Sequence, residues 1–400
     1  MTLVSELELP EFDVSDPDLV GDVYHQRLAA LRAQSWLAQS PVAVVVLGRA
    51  AGEFFLRSRA TAFPGRQLAE LFGITSGPLF DHIDANILNL SGETHRRLRS
   101  IVSGAFTPAA ANRWRPVMRE ILEQLWAGVD DDGGHAEFVG AFAKQYPALT
   151  IAAILGAPAE DAPRLHEWST WVQKQFDIRA LTTDLERIET AVVEVNEYVQ
   201  ALLAGPPSSS TLLGAMVAAE AEGDRLSHEE CVNLAVNVLA GAIDTTQSQL
   251  THGLHLFAVA SDQWKLLGST PDLVPAAVTE VLRVEPVTPF TARLCLEDIS
   301  YDDVVFPAGT IVAICAERGN REGGENFDIT AERDARLLTF GAGPHFCLGA
   351  NLARAELEEG LAFLAPRMPD LQLDGAVRFG GIEGIYGIEA LPLSWSTAAP

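Results

Sequence analysis

The residues best equipped for chemistry sit near the C-terminal end, in the run Phe340-Gly341-Ala342-Gly343-Pro344-His345-Phe346-Cys347-Leu348-Gly349. Gly341 and Gly343 let the backbone turn tightly and approach a flat object with no Cβ in the way, and Pro344 stiffens that turn. Cys347 follows at the mouth of a helical pattern that starts near Gly349 and runs on through Leu357. A helix N-terminus carries unpaired N–H groups and partial positive charge, which favours thiolate over thiol. A rigid loop aiming a thiolate at a planar partner suits ligation of an iron porphyrin. A lone cysteine beside a turn is more often a buried structural thiol, so other parts of the chain must supply the rest of such a site.

Three further groupings qualify. Gly241-Ala242-Ile243-Asp244-Thr245-Thr246 lies mid-way along a long helical pattern, where glycine and paired threonines are poor residues. They predict a local distortion beside a groove, with Asp244 and Thr245 as an acid–alcohol pair able to pass protons. Glu280 and Arg283 stand at i and i+3 on one helix face, a pattern that is common and weak on surfaces. His95 and Arg99 stand at i and i+4 and face one way.

The elements that must position these residues are mostly helical. A helix is expected from Leu19 to Gln34 and a short strand pair around Trp36 to Leu47. Leu68 to Leu90 shows no clean period and reads as a long loop with a helical turn, a length that usually signals function. Helices follow from about Gly92 to Val129, interrupted near Pro108 and ended by a turn at Asp130-Asp131-Asp132-Gly133-Gly134; an amphipathic segment spans Leu165 to Phe176. Gly205-Pro206-Pro207-Ser208-Ser209-Ser210 reads as a flexible linker between helices. Ser227-His228-Glu229-Glu230 is a capping-box start to an apolar pattern reaching about Ala260, roughly 45 Å of helix at 1.5 Å per residue. Then come a helix at Pro275 to Val284, β-like segments at Phe290 to Glu297 and Val304 to Cys315, an irregular stretch from Glu322 to Leu338, and short strands from Leu371 to Trp395. This is a mainly α chain with minor β, better suited to one mixed domain over 1–400 than to a βαβ array. Residues 1–15 are expected to be a flexible lead.

With these parts in place, the chain resembles the cytochrome P450 family. The cysteine run fills every fixed position of the signature Phe-Gly-x-Gly-x-His/Arg-x-Cys-x-Gly, and Gly241 to Thr246 matches the long-helix segment with Ala242 in place of its second glycine. The Glu280/Arg283 pair occupies the place of the family's structural Glu-x-x-Arg pair. Its usual third partner, an arginine before Phe327, is Asn326 here, which leaves Arg333 and Arg336 as substitutes. The resemblance implies the fold of that family, a long central helix over a haem with small peripheral sheets. It implies haem b with Cys347 as axial thiolate ligand and Phe340, Gly349, Gly241 and Ala242 against the ring. His95, Arg99, Arg293 and His345 match positions that hold the propionates. Asp244 and Thr245 are implied as the oxygen-activating pair, and no bound flavin is expected.

The resemblance also implies a substrate pocket among the family's most variable segments: Phe72 to Leu88, Trp168 to Phe176, Val238 to Ile243, Val287 to Phe290, and Ile385-Tyr386. Phe80, Ile83, Ile87, Phe176, Val238, Val287, Thr288, Phe290, Ile385 and Tyr386 are its candidate lining, mostly apolar, with Asp81, His82, Asn86 and Thr288 as polar exceptions. The implied reaction is insertion of one oxygen atom from O2 into an apolar small molecule, free or tethered to a carrier protein, in secondary metabolism. Peroxide-driven, coupling or desaturating chemistry is the nearest alternative, and a non-catalytic haem-binding sensor the more distant one. A nucleotide-binding loop at Gly341–Gly343 is excluded, because no βαβ unit surrounds it.

Charge narrows the partners. The net charge is −26, from 54 acids against 28 bases, which speaks against nucleic acid and anionic membranes. Between Thr94 and Arg119, however, lie Arg96, Arg97, Arg99, Arg113, Arg115 and Arg119 and no acid. By resemblance this island flanks the cysteine-side face, so Arg96, Arg97, Arg113 and Arg115 are expected to dock an acidic ferredoxin, itself served by a reductase. The four cysteines (Cys231, Cys295, Cys315 and Cys347) lie far apart with no zinc spacing, which suits a reducing compartment. With no signal-peptide pattern at Met1 and no apolar run near ~18 residues, the expectation is a soluble, cytoplasmic enzyme that does not bind membranes.

Overall fold

The computed structural model describes residues 1–129, 133–205, 208–221, 226–333 and 336–397. The expected turn residues Asp130 to Asp132, and Pro206-Pro207 of the expected linker, lie outside them. Helices α1 (Gly21–Gln34), α2 (Arg49–Arg57), α3 (Gly65–Leu71), α4 (Pro78–Ala85) and α5 (Gly92–Ser103) lead to α6 (Pro108–Val129). Next come α7 (Gln145–Leu155), α8 (Ala162–Gln173), α9 (Ile178–Thr183), α10 (Leu185–Ala204) and α11 (Leu212–Ala221). The 32-residue α12 (His228–Val259) is followed by α13 (Ser261–Ser269), α14 (Val274–Val284), α15 (Ala316–Arg321) and α16 (Ala350–Leu364).

α12 is the axle. Its start is fixed by the capping box, with Ser227 Oγ accepting from the Glu230 N–H at 3.1 Å and the Glu230 carboxylate accepting from the Ser227 N–H at 2.9 Å, so two orphan donors are satisfied together. α7, α8, α10, α14 and α16 all pack on it, and its buried residues, among them Leu234, Leu239, Ile243 and Leu250, belong to the largest apolar cluster. A helix that reaches the main core from both ends can hold mid-helix side chains at fixed places.

A five-stranded sheet lies to one side, in the order Leu37–Gln39, Val44–Val46, Ile311–Cys315, Phe290–Cys295, Thr61–Ala62. Only the pairing of Val44–Val46 with Ile311–Cys315 is parallel, with Val45 opposite Ala313. The short C-terminal strands form as expected, Gln372–Leu373 with Pro392–Ser394 and Arg378–Phe379 with Ile388–Ala390.

Three expectations need correction. Residues 1–15 are not a free lead: Thr2 and Leu3 pair in parallel with Val304 and Val305, and Phe12 is buried, its N–H donating to the Gln39 carbonyl at 2.8 Å. The segment 68–90 is not one long loop. It holds the end of α3 and all of α4, which starts at Pro78 after Gly77 at φ 101°, proline being preset for a first helical turn. And α12 runs unbroken as α-helix through Gly241; the Thr245 hydroxyl donates back to the Gly241 carbonyl at 2.8 Å instead, a common resting place for a mid-helix threonine.

The N-terminal helix is tied to the body by a buried charge cluster. His25 on α1 lies 2.6 Å from Glu285 Oε1 and 2.9 Å from Glu317 Oε1, with Arg321 2.9 Å from Glu317 and His252 3.8 Å from Glu285. Burial opposes the imidazolium, but hydrogen bonds to Glu285 and Glu317 outweigh it against the repulsion of Arg321, and the His25 pKa rises to about 9. A proton held more tightly in the folded state stabilises it below the unfolded pKa of about 6.5, and that stability is lost as pH rises through about 9. We expect wild type to lose about 2–3 kcal/mol more than His25→Gln between pH 6.5 and 10 in urea unfolding; parallel pH profiles would contradict the pairing.

Candidate active site

The cysteine loop is built against its neighbours' backbone. Gly341 and Gly343 both have positive φ, 68° and 72°, a region L-residues avoid. A Cβ on Gly343 would come within 2.7 Å of the Leu56 carbonyl and 2.9 Å of Arg57 Cα, so the close approach this glycine permits is to the end of α2 rather than to a flat ligand. The Cys347 N–H donates to the Phe340 carbonyl at 2.9 Å, which closes the loop and sets the thiol at the start of α16. Phe340 sits under the Arg354 guanidinium, 5.4 Å from the ring centre, and 6.3 Å from the Phe346 ring.

Cys347 has an accessible side chain although protein surrounds it at longer range; it lies on an internal wall, not on the outer surface. Burial is the largest influence on its thiol and raises the pKa above the ordinary value, against backbone N–H groups of Gly349 and Ala350 and the charge of Arg99. The helix terminus therefore favours the thiolate as expected but does not suffice to form it. A bound metal cation would, since coordination displaces the thiol proton. A Cβ on Gly349 or Gly241 would meet nothing within 4 Å, so both present bare backbone.

Around the loop, four basic side chains converge from separate elements. His95 and Arg99 come from α5, Arg293 from the strand Phe290–Cys295, and His345 from the loop itself. The His95 and His345 rings lie 4.2 Å apart, and Arg99 donates to the Phe346 carbonyl. Arg293 is buried, and among the described residues its one side-chain bond goes to the neighbouring Ala292 carbonyl, at 2.8 Å. Burial lowers its pKa to about 10. The His345 pKa falls to about 3, first through burial and then through His95, Arg293 and Arg99. Among the described residues no carboxylate pairs with any of the four, and His95 Nε2 is buried without a partner. Buried cations without counter-ions are costly. A planar group carrying two carboxylates and a thiolate-binding metal fits this arrangement; a haem is such a group.

The other two groupings behave differently. Glu280 and Arg283 form a bidentate pair, both contacts 2.7 Å, wholly buried. Arg283 also donates to the Gly324 and Asn326 carbonyls at 2.6 and 2.7 Å. The third partner is Arg333, whose Nη2 lies 3.3 Å from Glu280 Oε1. Arg336 is turned to a surface cleft instead. Asp244 is gripped by α8, with Ser169 Oγ donating to Oδ2 at 2.5 Å and Thr170 Oγ1 to Oδ1 at 2.7 Å. Gln173 adds a 2.6 Å bond to the Ala240 carbonyl. Ser169 and Thr170 were not singled out in the sequence, although they share the 168–176 segment with the expected pocket. Thr245 carries no bond to Asp244; its hydroxyl rests on Gly241.

The expected pocket lining separates. Ile87 borders a cavity of ≈ 190 Å³ between the 85–90 segment, α5 and α12. Val238, Ala242, Thr288 and Ile385 are half-buried. Phe176 meets the Phe63 ring at 6.0 Å. Tyr386 is no lining residue: it is 1 % exposed, its hydroxyl accepts from the Gly21 N–H at 2.7 Å, and its ring packs on Tyr24, His252 and Phe379. Ile83 is buried in the main core, as is His82 beside it. Val287 is buried, its carbonyl accepting from the Tyr386 N–H. Phe290 packs on Phe12 at 5.5 Å between ring centres, and Phe80 lies under the Arg66 guanidinium. Asn86 turns inward on its own loop to accept from the Leu88 N–H, and Asp81 faces solvent.

A family model described as Cytochrome P450 matches residues 261–364, from α13 to the end of α16. Over the full length, the chain is 33% identical to a luteothin monooxygenase of Streptomyces thioluteus, covering 98% of this chain and 97% of the relative. It is 36% identical to a plant-inducible cytochrome P450 of Rhizobium radiobacter, pinF1, over 76% of this chain and 73% of that one. The chain belongs to the cytochrome P450 family. It is a haem-thiolate monooxygenase of the bacterial type. Among solved structures, CalO2 superposes with a TM-score of 0.90 at 26% identity, covering 98% of this chain and 100% of that one. P450BioI bound to an acyl carrier protein carrying hexadec-9Z-enoic acid superposes with a TM-score of 0.86 at 26% identity, over 93% and 98% of the two chains. The P450 fold, mainly α with small sheets, is thus the observed one, and no described helix is long and apolar enough to cross a membrane.

Breaking the buried pair leaves a charge without its partner, so Glu280→Ala is expected to cost about 3–5 kcal/mol. The check is denaturant unfolding, and a loss below about 1 kcal/mol would show the pair to be dispensable.

Proposed function

We propose that this P450 monooxygenase holds haem b with Cys347 as its axial thiolate, His95, Arg99, Arg293 and His345 on the propionates, and Phe340, Gly349, Gly241 and Ala242 against the ring. The observation that carries this is the convergence of four basic side chains, without a carboxylate among the described residues, beside the helix-terminal cysteine. Bound there, the haem supplies oxygen activation; the chain supplies position, protons and exclusion of water. Thr245 Oγ1 is the group that delivers a proton, and to do so it must leave the Gly241 carbonyl. Asp244 replenishes it and must first slip the Ser169 and Thr170 hydroxyls. The substrate is an apolar small molecule bordered by Ile87, Val238, Ala242 and Thr288, in a single-domain cytoplasmic enzyme. A carrier-tethered substrate draws support from the neighbour solved with an acyl carrier protein.

Electrons are proposed to arrive from an acidic ferredoxin, at a docking surface other than the one expected from the sequence. Arg97 pairs with Glu230 at 2.5 Å, Arg115 with Glu358 and Glu359, and Arg119 with Glu359 at 2.6 Å. These arginines are spent on neighbouring acids, while Arg96 and Arg113 remain exposed without an ion pair among the described residues. Beneath the cysteine loop, a cleft of ≈ 520 Å³ is bordered by Arg49, Arg59 and Arg336, by the Arg57–Glu53 pair at 2.8 Å, and by Gly341 to Pro344. This cleft places an excess of positive charge against the loop that carries Cys347, and complementary charge there speeds encounter.

Two outcomes test the reading. Thr245→Ala is expected to load haem normally yet release most reducing equivalents as hydrogen peroxide, measured as product formed per NADPH; tight coupling in that variant would remove Thr245 from proton delivery. Arg59→Glu with Arg336→Glu should slow ferredoxin-driven reduction about tenfold at low salt while leaving dithionite reduction unchanged. An equal rate with ferredoxin would move the docking face elsewhere.

A further inference from the structure

Along one side of α12, Asn233, Asn237, Gly241 and Thr245 recur at every fourth position, the spacing that stacks residues on one helix face. All four are less covered than most of the residues between them, such as Leu234, Leu239 and Ile243. The ≈ 190 Å³ cavity opens at the first two of these positions, with Ile87, Leu90 and Leu98 forming its apolar wall. Two amide side chains thus stand at one end of the stripe, the bare backbone of Gly241 lies between, and the Thr245 hydroxyl stands at the other end.

The hydrogen bonds say what that polar end offers. Asn237 Nδ2 donates 2.6 Å to the Asn233 backbone carbonyl and 2.9 Å to Asn233 Oδ1. A backbone carbonyl can only accept, so the Asn237 amide has one orientation and fixes that of Asn233 in turn. Left over are one acceptor, Asn237 Oδ1, and one donor group, Asn233 Nδ2, neither with a partner among the described residues. Glu229 and Glu230 border the same cavity, and Arg97 is bound to Glu230 through both terminal nitrogens, at 3.1 and 2.5 Å. Among the described residues that line the cavity, two are acids and none is a cation, which disfavours an anionic ligand.

We propose that this cavity is the recognition subsite for a neutral group that both donates and accepts hydrogen bonds, of the carboxamide, lactam or urea class, at the far end of the substrate. The substrate's apolar stretch then lies along Val238 and Ala242, with its oxidised position near Thr245, about 12 Å away for eight residues of helix. This rests on the oxygenase reading of Thr245, and adds to it a polarity and a direction for the substrate.

The test uses haem-loaded protein and a matched pair of probes, decanamide and decanoate, with affinities from isothermal calorimetry and the Soret spin-state shift as a second readout. Decanamide should bind about tenfold more tightly than decanoate, a difference of about 1.4 kcal/mol. Asn237→Leu should weaken decanamide about tenfold and leave decanoate within about twofold. Because a variant in α12 can fail to fold, Glu229→Gln at the exposed rim serves as the second arm and should strengthen decanoate binding severalfold. Decanoate binding as tightly as decanamide, an unchanged decanamide affinity in a folded Asn237→Leu, an unchanged decanoate affinity in Glu229→Gln, or no binding of either probe overturns the subsite. None of these results touches the ligation of haem by Cys347, which fails only by its own spectroscopic test.

Discussion

The structure depends on the place where the cysteine loop meets the end of α2. Gly343 brings its backbone so close to Leu56 and Arg57 that no side chain fits between them, and the Cys347–Phe340 hydrogen bond closes the loop behind it. Cys347 is thereby fixed in the frame of two elements rather than hung on a mobile turn. In the proposed ligation its donor atom meets a rigid ring, where a displacement of an ångström is costly to catalysis. The buried Glu280–Arg283–Arg333 cluster braces the same region from the other side. It holds the carbonyls of Gly323, Gly324 and Asn326, which lie on the connection feeding the loop.

From that fixed point the site divides by polarity. On the α5 and sheet side, Arg99, Arg293 and two imidazoles gather positive potential, and burial keeps both histidines neutral while the arginines bear the charge. On the α12 side, the wall is bare backbone at Gly241, the Thr245 hydroxyl and half-buried apolar side chains. On the proposed reading, the first half holds the anionic edges of a cofactor and the second admits an organic molecule. Asp244 belongs to neither half at rest, because two hydroxyls of α8 hold it against that helix. Movement of α8 is thus linked to the availability of the carboxylate.

What the sequence made legible was whatever is encoded within a few residues. The cysteine run, the capping box at Ser227 and the Glu280/Arg283 spacing are local strings, and each occupies the place its spacing implied. Contacts across sequence were not legible. Thr2 pairing with Val304, Ser169 with Asp244 and the choice of Arg333 over Arg336 each join elements whose meeting only the fold decides. Tyr386 and Ile83 were expected near substrate because of the segments that contain them, but direction within a segment depends on neighbours such as Gly21 and the main core. The arginines after Thr94 looked unopposed because their acidic partners, Glu230, Glu358 and Glu359, lie more than a hundred residues later.

The central claim is that Cys347 supplies a thiolate to a haem held in this site. The most direct measurement is the absorption spectrum of the reduced, CO-bound protein. The account predicts a Soret band at the red-shifted thiolate position in wild type that is lost in Cys347→Ala. A haem-loaded wild type without that band, or a Cys347→Ala protein that retains it, would contradict the account.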